Sequence, residues 1–137
     1  MTPKEKLKKI NQHMANTMVS NIGIEIIEIG DFYICGKMPV DHRTIQPYGL
    51  LHGGASVAFA ETLGSVGSGI MLKNYDVSVV GIEVNANHLK PAKDGWVFGK
   101  ARAVRIGKKI HVWEIKIHNE RDELICMSRL TLAVIKK

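Results

Sequence analysis

Glu61 is the one formally charged side chain between His52 and Leu72, in a stretch otherwise made of Gly, Ala, Ser, Thr, aliphatics and one phenylalanine. A carboxylate in the middle of an apolar helix is protonated, paired with a distant group, or kept ionised for chemistry. Its helical neighbours three and four positions away are Val57, Ala58, Gly64 and Ser65, so no local ion pair holds it. Carboxylates of this kind serve as general bases and nucleophiles; a solvent-facing glutamate is the plain alternative. Upstream, Leu51-His52-Gly53-Gly54 lies where a polar loop enters the helix. First-turn N–H groups there have no helical acceptor and carry the positive end of the helix dipole, and glycine lets a carbonyl come close. An oxygen that turns anionic during acyl transfer is the matching ligand, and such donors are worth about 2.7–4 kcal/mol. Taken alone, Gly53-Gly54 also reads as a simple loop-to-helix junction and His52 as a cap, while Gln46 is a loop glutamine like many others.

Spacing adds a constraint. Glu61 is eight residues past Gly53, which is roughly 12 Å along one helix. A general base must reach its water within about 3 Å. One helix therefore cannot bring both groups to one carbon, whereas two antiparallel helices of a symmetric dimer can, each site taking Glu61 from one subunit and Gly53 from the other.

The elements that must position these groups follow from periodicity and turn signals. Leu7, Ile10, Met14 and Met18 recur at helical spacing, which predicts an amphipathic N-terminal helix over about residues 4–19. Residues 22–29 and 32–38 read as a β-hairpin about Gly30-Asp31, with Phe32, Ile34 and Met38 in period two. Residues 39–48 are a proline-containing loop before the Glu61 helix. Four strands follow at 77–89, 96–106, 110–118 and 124–135, separated by Lys93-Asp94-Gly95, Gly107-Lys108 and Asn119–Asp122. In the first of them Val80, Ile82, Val84 and Ala86 alternate. Short links favour an antiparallel meander of these four strands. The order α-β-β-α-β-β-β-β implies an α+β arrangement, a six-stranded antiparallel sheet against one long helix. Gly64, Gly67 and Gly69 cost that helix about 1 kcal/mol each against Ala, which makes sense if a curved sheet wraps closely around it.

Composition narrows the class. The 137 residues, 45% hydrophobic and 23% charged, fit a single globular domain over 1–137. A charged start without an apolar core shows no signal peptide, and five glycines with a central acid argue against a membrane span over the Glu61 helix. Cys35 and Cys126 lack a CxxC spacing and the six histidines show no ligand spacing, which points to a cytoplasmic protein without a disulfide framework or metal site.

The run MPVDHRTIQPYGLLHGGASVAFAETLGS over residues 38–65, with VGIEVNANHLKPA over 80–92, resembles hotdog-fold acyl-CoA thioesterases of the phenylacetate-pathway and 4-hydroxybenzoyl-CoA thioesterase branch. Within it the likeness is to small bacterial thioesterases acting on 1,4-dihydroxy-2-naphthoyl-CoA in menaquinone synthesis or on misloaded acyl groups in siderophore assembly. The resemblance implies a hotdog fold, hydrolysis of a thioester with an aromatic acyl group favoured, no cofactor, and homodimers with shared sites that pair into homotetramers. It casts Glu61 as base or nucleophile and the Gly53 N–H as the group polarising the carbonyl. His52 and Gln46 become polar partners of the carbonyl, water or leaving group, and Ser65 a hydroxyl that helps place the nucleophile. Lys90 stands where such proteins carry Arg, which turns a bidentate phosphate contact into a point charge.

The net charge of +6 also seeks a partner. Residues 100–109 hold five cations and no acid. With His88 and Lys90, the cations Arg105, Lys108 and Lys109 are what the resemblance assigns to the phosphates of coenzyme A; a solvated sheet edge is the plain reading. Nucleic acid is disfavoured because Trp96 and Trp113 lie on strand patterns expected in the core, not among the cations. A non-catalytic acyl-CoA binder is the competing function on this fold. A hotdog dehydratase would show a His/Asp acid–base pair that is not found at matching positions.

Overall fold

Thr2 starts the first helix. Its side chain accepts the Glu5 N–H, the Glu5 carboxylate accepts the Thr2 N–H, and Pro3 sits at the first helical position. In the computed structural model, which describes residues 1–137, the elements are α1 (Pro3–His13), α2 (Met18–Asn21), β1 (Glu25–Gly30), β2 (Tyr33–Pro39), α3 (Gly53–Met71), β3 (Val77–His88), β4 (Trp96–Ile106), β5 (Ile110–His118) and β6 (Leu124–Lys136). The N-terminal helix is shorter than its periodicity suggests. Asn16 takes a left-handed φ of 61°, and Thr17 caps the short α2 by accepting the Val19 N–H. Met18 is consequently exposed instead of completing the stripe. Asn11 fastens α1 to the sheet: its amide donates to the Ile26 carbonyl and accepts the Ile26 N–H, both at 2.9 Å.

Six strands form one antiparallel sheet in the order β1-β2-β4-β5-β6-β3, curled around α3, with α1 packed on β1. This is the α+β hotdog fold. The expected four-strand meander is corrected in one respect. Strands β4, β5 and β6 meander, but β3 pairs with β6 from His88↔Cys126 to Val77↔Lys136 and is left as the sheet edge. The β3–β4 link passes over β6 and β5 instead of turning back on its neighbour. A bulge between Gly81 and Glu83 also shifts the pleat, so Val80 and Ile82 face outward, 45% and 57% exposed, while Val84 and Ala86 turn inward. Phe32 likewise leaves the inward face: it occupies the hairpin turn at φ 62° and is exposed.

The core lies between α3 and the concave face of the sheet, with Phe59, Leu63, Trp113, Ile115, Leu130 and Leu132 fully buried. Close approach explains the helix glycines. A Cβ on Gly64 would stand 2.5 Å from Leu130, and one on Gly67 would stand 2.7 Å from the Trp113 ring. Gly69 is different, for a Cβ there meets nothing within 4 Å. Trp113 is in the core as expected; Trp96 is only half-buried, with the Lys37 ammonium over its ring. No helix is long and apolar enough to cross a membrane.

Candidate active site

The start of α3 is built from the loop before it. The His52 N–H donates to the Thr44 carbonyl, and buried Thr44 is tied in turn to the Pro39 carbonyl. His52 then caps the helix, its Nδ1 accepting the Gly54 N–H at 2.7 Å. A neutral ring that accepts at Nδ1 carries its proton at Nε2, so His52 keeps a donor free. The Gly53 N–H has no acceptor within the chain. The imidazole of His88, from the end of β3, stands against Gly53: a Cβ on that glycine would fall 2.9 Å from His88 Nε2. Gln46, Gly53, Ser56, His88 and Lys90 line one cavity of roughly 370 Å³. Gln46 is pinned to its loop by accepting the Tyr48 N–H with its side-chain oxygen, which leaves its amide N–H groups free.

Glu61 is elsewhere. It is half-buried in a second cavity of roughly 480 Å³, with Ser65, Thr62 and Val66 of α3 facing Met14 at the C-cap of α1, Met18 and Val19 of α2, and Ile22. The two cavities share no residue. The Glu61 carboxylate rests against the backbone of β3 at Gly81, where a Cβ would come within 2.6 Å of Oε2. No salt bridge in the chain involves Glu61. The structure thus brings Glu61 and Ser65 together, brings Gln46, His52, Gly53 and His88 together, and keeps the two groups apart.

The cations expected at phosphates are also divided. Lys90 is paired with Glu123, whose carboxylate is lowered to about 2 by hydrogen bonds from Lys90, Asn119 and Arg121. Arg105, Lys108 and Lys109 are exposed at the β4–β5 turn. The register places that turn at the opposite end of the sheet: β6 joins His88 to Ile117, seven residues and roughly 23 Å along β5 from Ile110. No group of three or more His, Cys, Asp or Glu is placed to hold a metal ion.

Two features escape a reading of the sequence. Gly81 makes room for the Glu61 carboxylate, and only the β3 bulge reveals it. A buried trio behind the site is the second. The Trp113 Nε1–H donates to Ser68 Oγ at 2.7 Å, and Ser68 Oγ bonds His111 Nδ1 at 2.7 Å. Ser68 lies seven residues from Glu61, on the same helical face, so its spacing was a usable signal; its partner in β5 was not.

Comparison with known proteins gives one answer. Residues 48–126 match the thioesterase superfamily. The chain is similar to a thioesterase from Haemophilus influenzae whose crystal structure gives a TM-score of 0.91 at 48% identity, covering 95% of this chain and 90% of that one. The crystal structure of a mutant thioesterase from Pseudomonas aeruginosa gives a TM-score of 0.93 at 40% identity, over 96% and 94% of the two chains. The 1,4-dihydroxy-2-naphthoyl-CoA hydrolase of Escherichia coli is 43% identical over 129 residues, 94% of either chain.

Proposed function

The chain belongs to the thioesterase superfamily, and on that premise we propose that it hydrolyses an acyl-CoA thioester to the free acid and CoA. The observation that carries this reading is the pair of half-sites on α3: an unaccepted Gly53 N–H at the positive end of the helix, and an unpaired Glu61 in an apolar cleft. The thioester oxygen takes the Gly53 N–H, with the Nε2–H of His52 and the amide of Gln46 beside it. Water adds to the carbonyl carbon as Glu61 takes its proton. The oxygen becomes anionic where the helix dipole stabilises it, the C–S bond then breaks, and the departing CoA sulfur receives a proton. With Glu61 as nucleophile, an acyl anhydride forms first and water opens it. Ser65, one turn beyond Glu61, orients the carboxylate or its water on either route.

The two half-sites meet between two copies of the chain. Strand β3 is an open edge of twelve residues, an arrangement that invites pairing with another strand. Glu61 touches Gly81 and Gly53 touches His88, both on β3. Two β3 strands paired antiparallel about a centre between Val84 and Asn85 set Gly81 of one copy opposite His88 of the other. Glu61 of one then faces Gly53 of the other. The same two-fold sets the turn bearing Arg105, Lys108 and Lys109 at the end of the double sheet where the other copy's His88 and Lys90 lie, reuniting the cations for the phosphates of CoA.

A free-CoA release assay over aromatic, β-hydroxyacyl and aliphatic CoA esters tests the function, aromatic esters first because the E. coli relative is named for one. Turnover of at least one class is expected, with kcat lowered by about 10²–10⁴-fold in Glu61→Gln. Release from none of them overturns the reading and leaves a non-catalytic acyl-CoA binder, while undiminished release by the correctly folded variant overturns the role of Glu61.

A further inference from the structure

The cleft at Glu61 continues past it. Its outer part, roughly 1010 Å³, shares His13, Met14, Ser65 and Val66 with the Glu61 cavity and runs on between α1 and the last turns of α3. Its floor is apolar, made by Ile10, Met14, Val66 and Ile70, and widened at Gly69, where no side chain fills the space. Its rim is basic. Lys6, Lys9 and His13 fall at i, i+3 and i+7 on the face of α1 that also carries Ile10 and leads to the C-cap Met14, so all of them look onto the cleft. No acidic residue lines this outer part, and none of the three basic side chains takes part in a salt bridge. The acid nearest in sequence, Glu5, is committed to the capping box of α1.

The geometry points to an acyl group that is elongated and apolar along its length and ends, away from the thioester, in a second acidic group bound by Lys6, Lys9 and His13. This inference rests on the thioesterase reading, since the reacting carbon must lie at Glu61. From Glu61 to Gly69 the helix rises roughly 12 Å, so the acid must stand about that far from the thioester. An acyl group ending in a methyl would gain from the floor but nothing from the rim, whereas a terminal carboxylate takes charge-assisted hydrogen bonds there.

The test compares two CoA esters of equal acyl length, one ending in a carboxylate and one in a methyl, so that the contribution of CoA cancels. The variants are Lys6→Ala/Lys9→Ala and, as a charge-keeping control, Lys6→Arg/Lys9→Arg. Both side chains are exposed, so the fold is not at stake. The expected result is a preference of the wild-type protein for the acid-ended ester that falls at least about tenfold in the Ala variant, through KM and not kcat, and survives in the Arg variant. Calorimetric titration of the same esters reads the rim without turnover. Equal handling of the two esters by the wild type, an unchanged ratio in the Ala variant, or no binding of either ester overturns the acid rim. Preferential binding of the acid-ended ester without any CoA release sustains the rim and overturns the thioesterase reading instead.

Discussion

Glu61 stands out in the sequence because its helical neighbours are all uncharged, and the structure adds what holds it. Its carboxylate lies on the backbone of Gly81, the residue beside the β3 bulge. A Cβ there meets the far end of a flexible side chain, not backbone, so the carboxylate can swing aside at little cost to folding. Gly81→Ala should therefore leave the denaturation midpoint almost unmoved while lowering kcat by up to about 10²-fold, the loss that a misplacement of about 1 Å can bring. Unchanged kcat would remove Gly81 from any role in aiming Glu61. Gly53 is the contrasting case, because a Cβ there meets the His88 ring, at the helix entrance where the proposed reaction brings the carbonyl. Glu61, Gly53 and His52 could be singled out from residue type and spacing, and Gln46 only through the family resemblance. Gly81, and the contact of His88 with Gly53, could not, since both depend on which strand ends beside the helix.

Among the elements, α3 shows how far spacing carries an argument. Its glycines were legible as a close-packing signal, and two of them serve it; the third does not. Gly64→Ala gains helix propensity of about 1 kcal/mol but drives a methyl into Leu130, and overpacking of that kind costs about 1–3 kcal/mol. Gly69→Ala carries the same gain without the clash. Equilibrium denaturation should find the first variant destabilised and the second stabilised, and the reverse order would contradict the packing. The strands themselves were legible from period-two runs, but their order was not. Nothing in residues 77–89 announces that β3 skips its successor to pair with β6, and the bulge at Gly81 hides which of its valines face inward. The buried Ser68–His111–Trp113 trio is a second element-level device, joining α3 to β5. Burial pushes the His111 imidazole below its ordinary value, against a smaller opposing pull from a backbone bond to Gly107. Above about pH 6.5 His111 is neutral in both folded and unfolded chains, and its contribution is complete. As pH falls through that value the unfolded chain takes up a proton that the folded chain refuses, so stability declines until the lower folded value is passed. Urea midpoints measured from pH 7.5 downward should fall less steeply in His111→Gln than in the wild type. Equal slopes would mean that His111 titrates alike in both states.

At the scale of the whole molecule, one chain holds in two separate cavities the groups that the proposed reaction needs at one carbon. Gln46, His52 and Gly53 gather at the start of α3, Glu61 and Ser65 lie beyond reach of them, and an open β3 edge lies beside both. The two-fold proposed through β3 would resolve the separation, and it has a consequence that no single-chain site shares. Consider Glu61→Ala and Gln46→Ala, two variants that on the proposed mechanism each inactivate the site from a different half. In a mixed dimer one site combines the intact Glu61 of one copy with the intact Gln46 of the other, while the second site carries both lesions. Random re-association makes half of the dimers mixed, and each of these has one working site of two, so activity should return to about a quarter of the wild type. If every group came from the same chain, each site would carry one lesion in every combination and mixing would restore nothing. The measurement needs each variant shown inactive and dimeric by itself, with subunit exchange verified by a mass or fluorescence label. Under those conditions, recovery near a quarter places Glu61 and Gln46 of one site on different copies, and no recovery returns both to one chain.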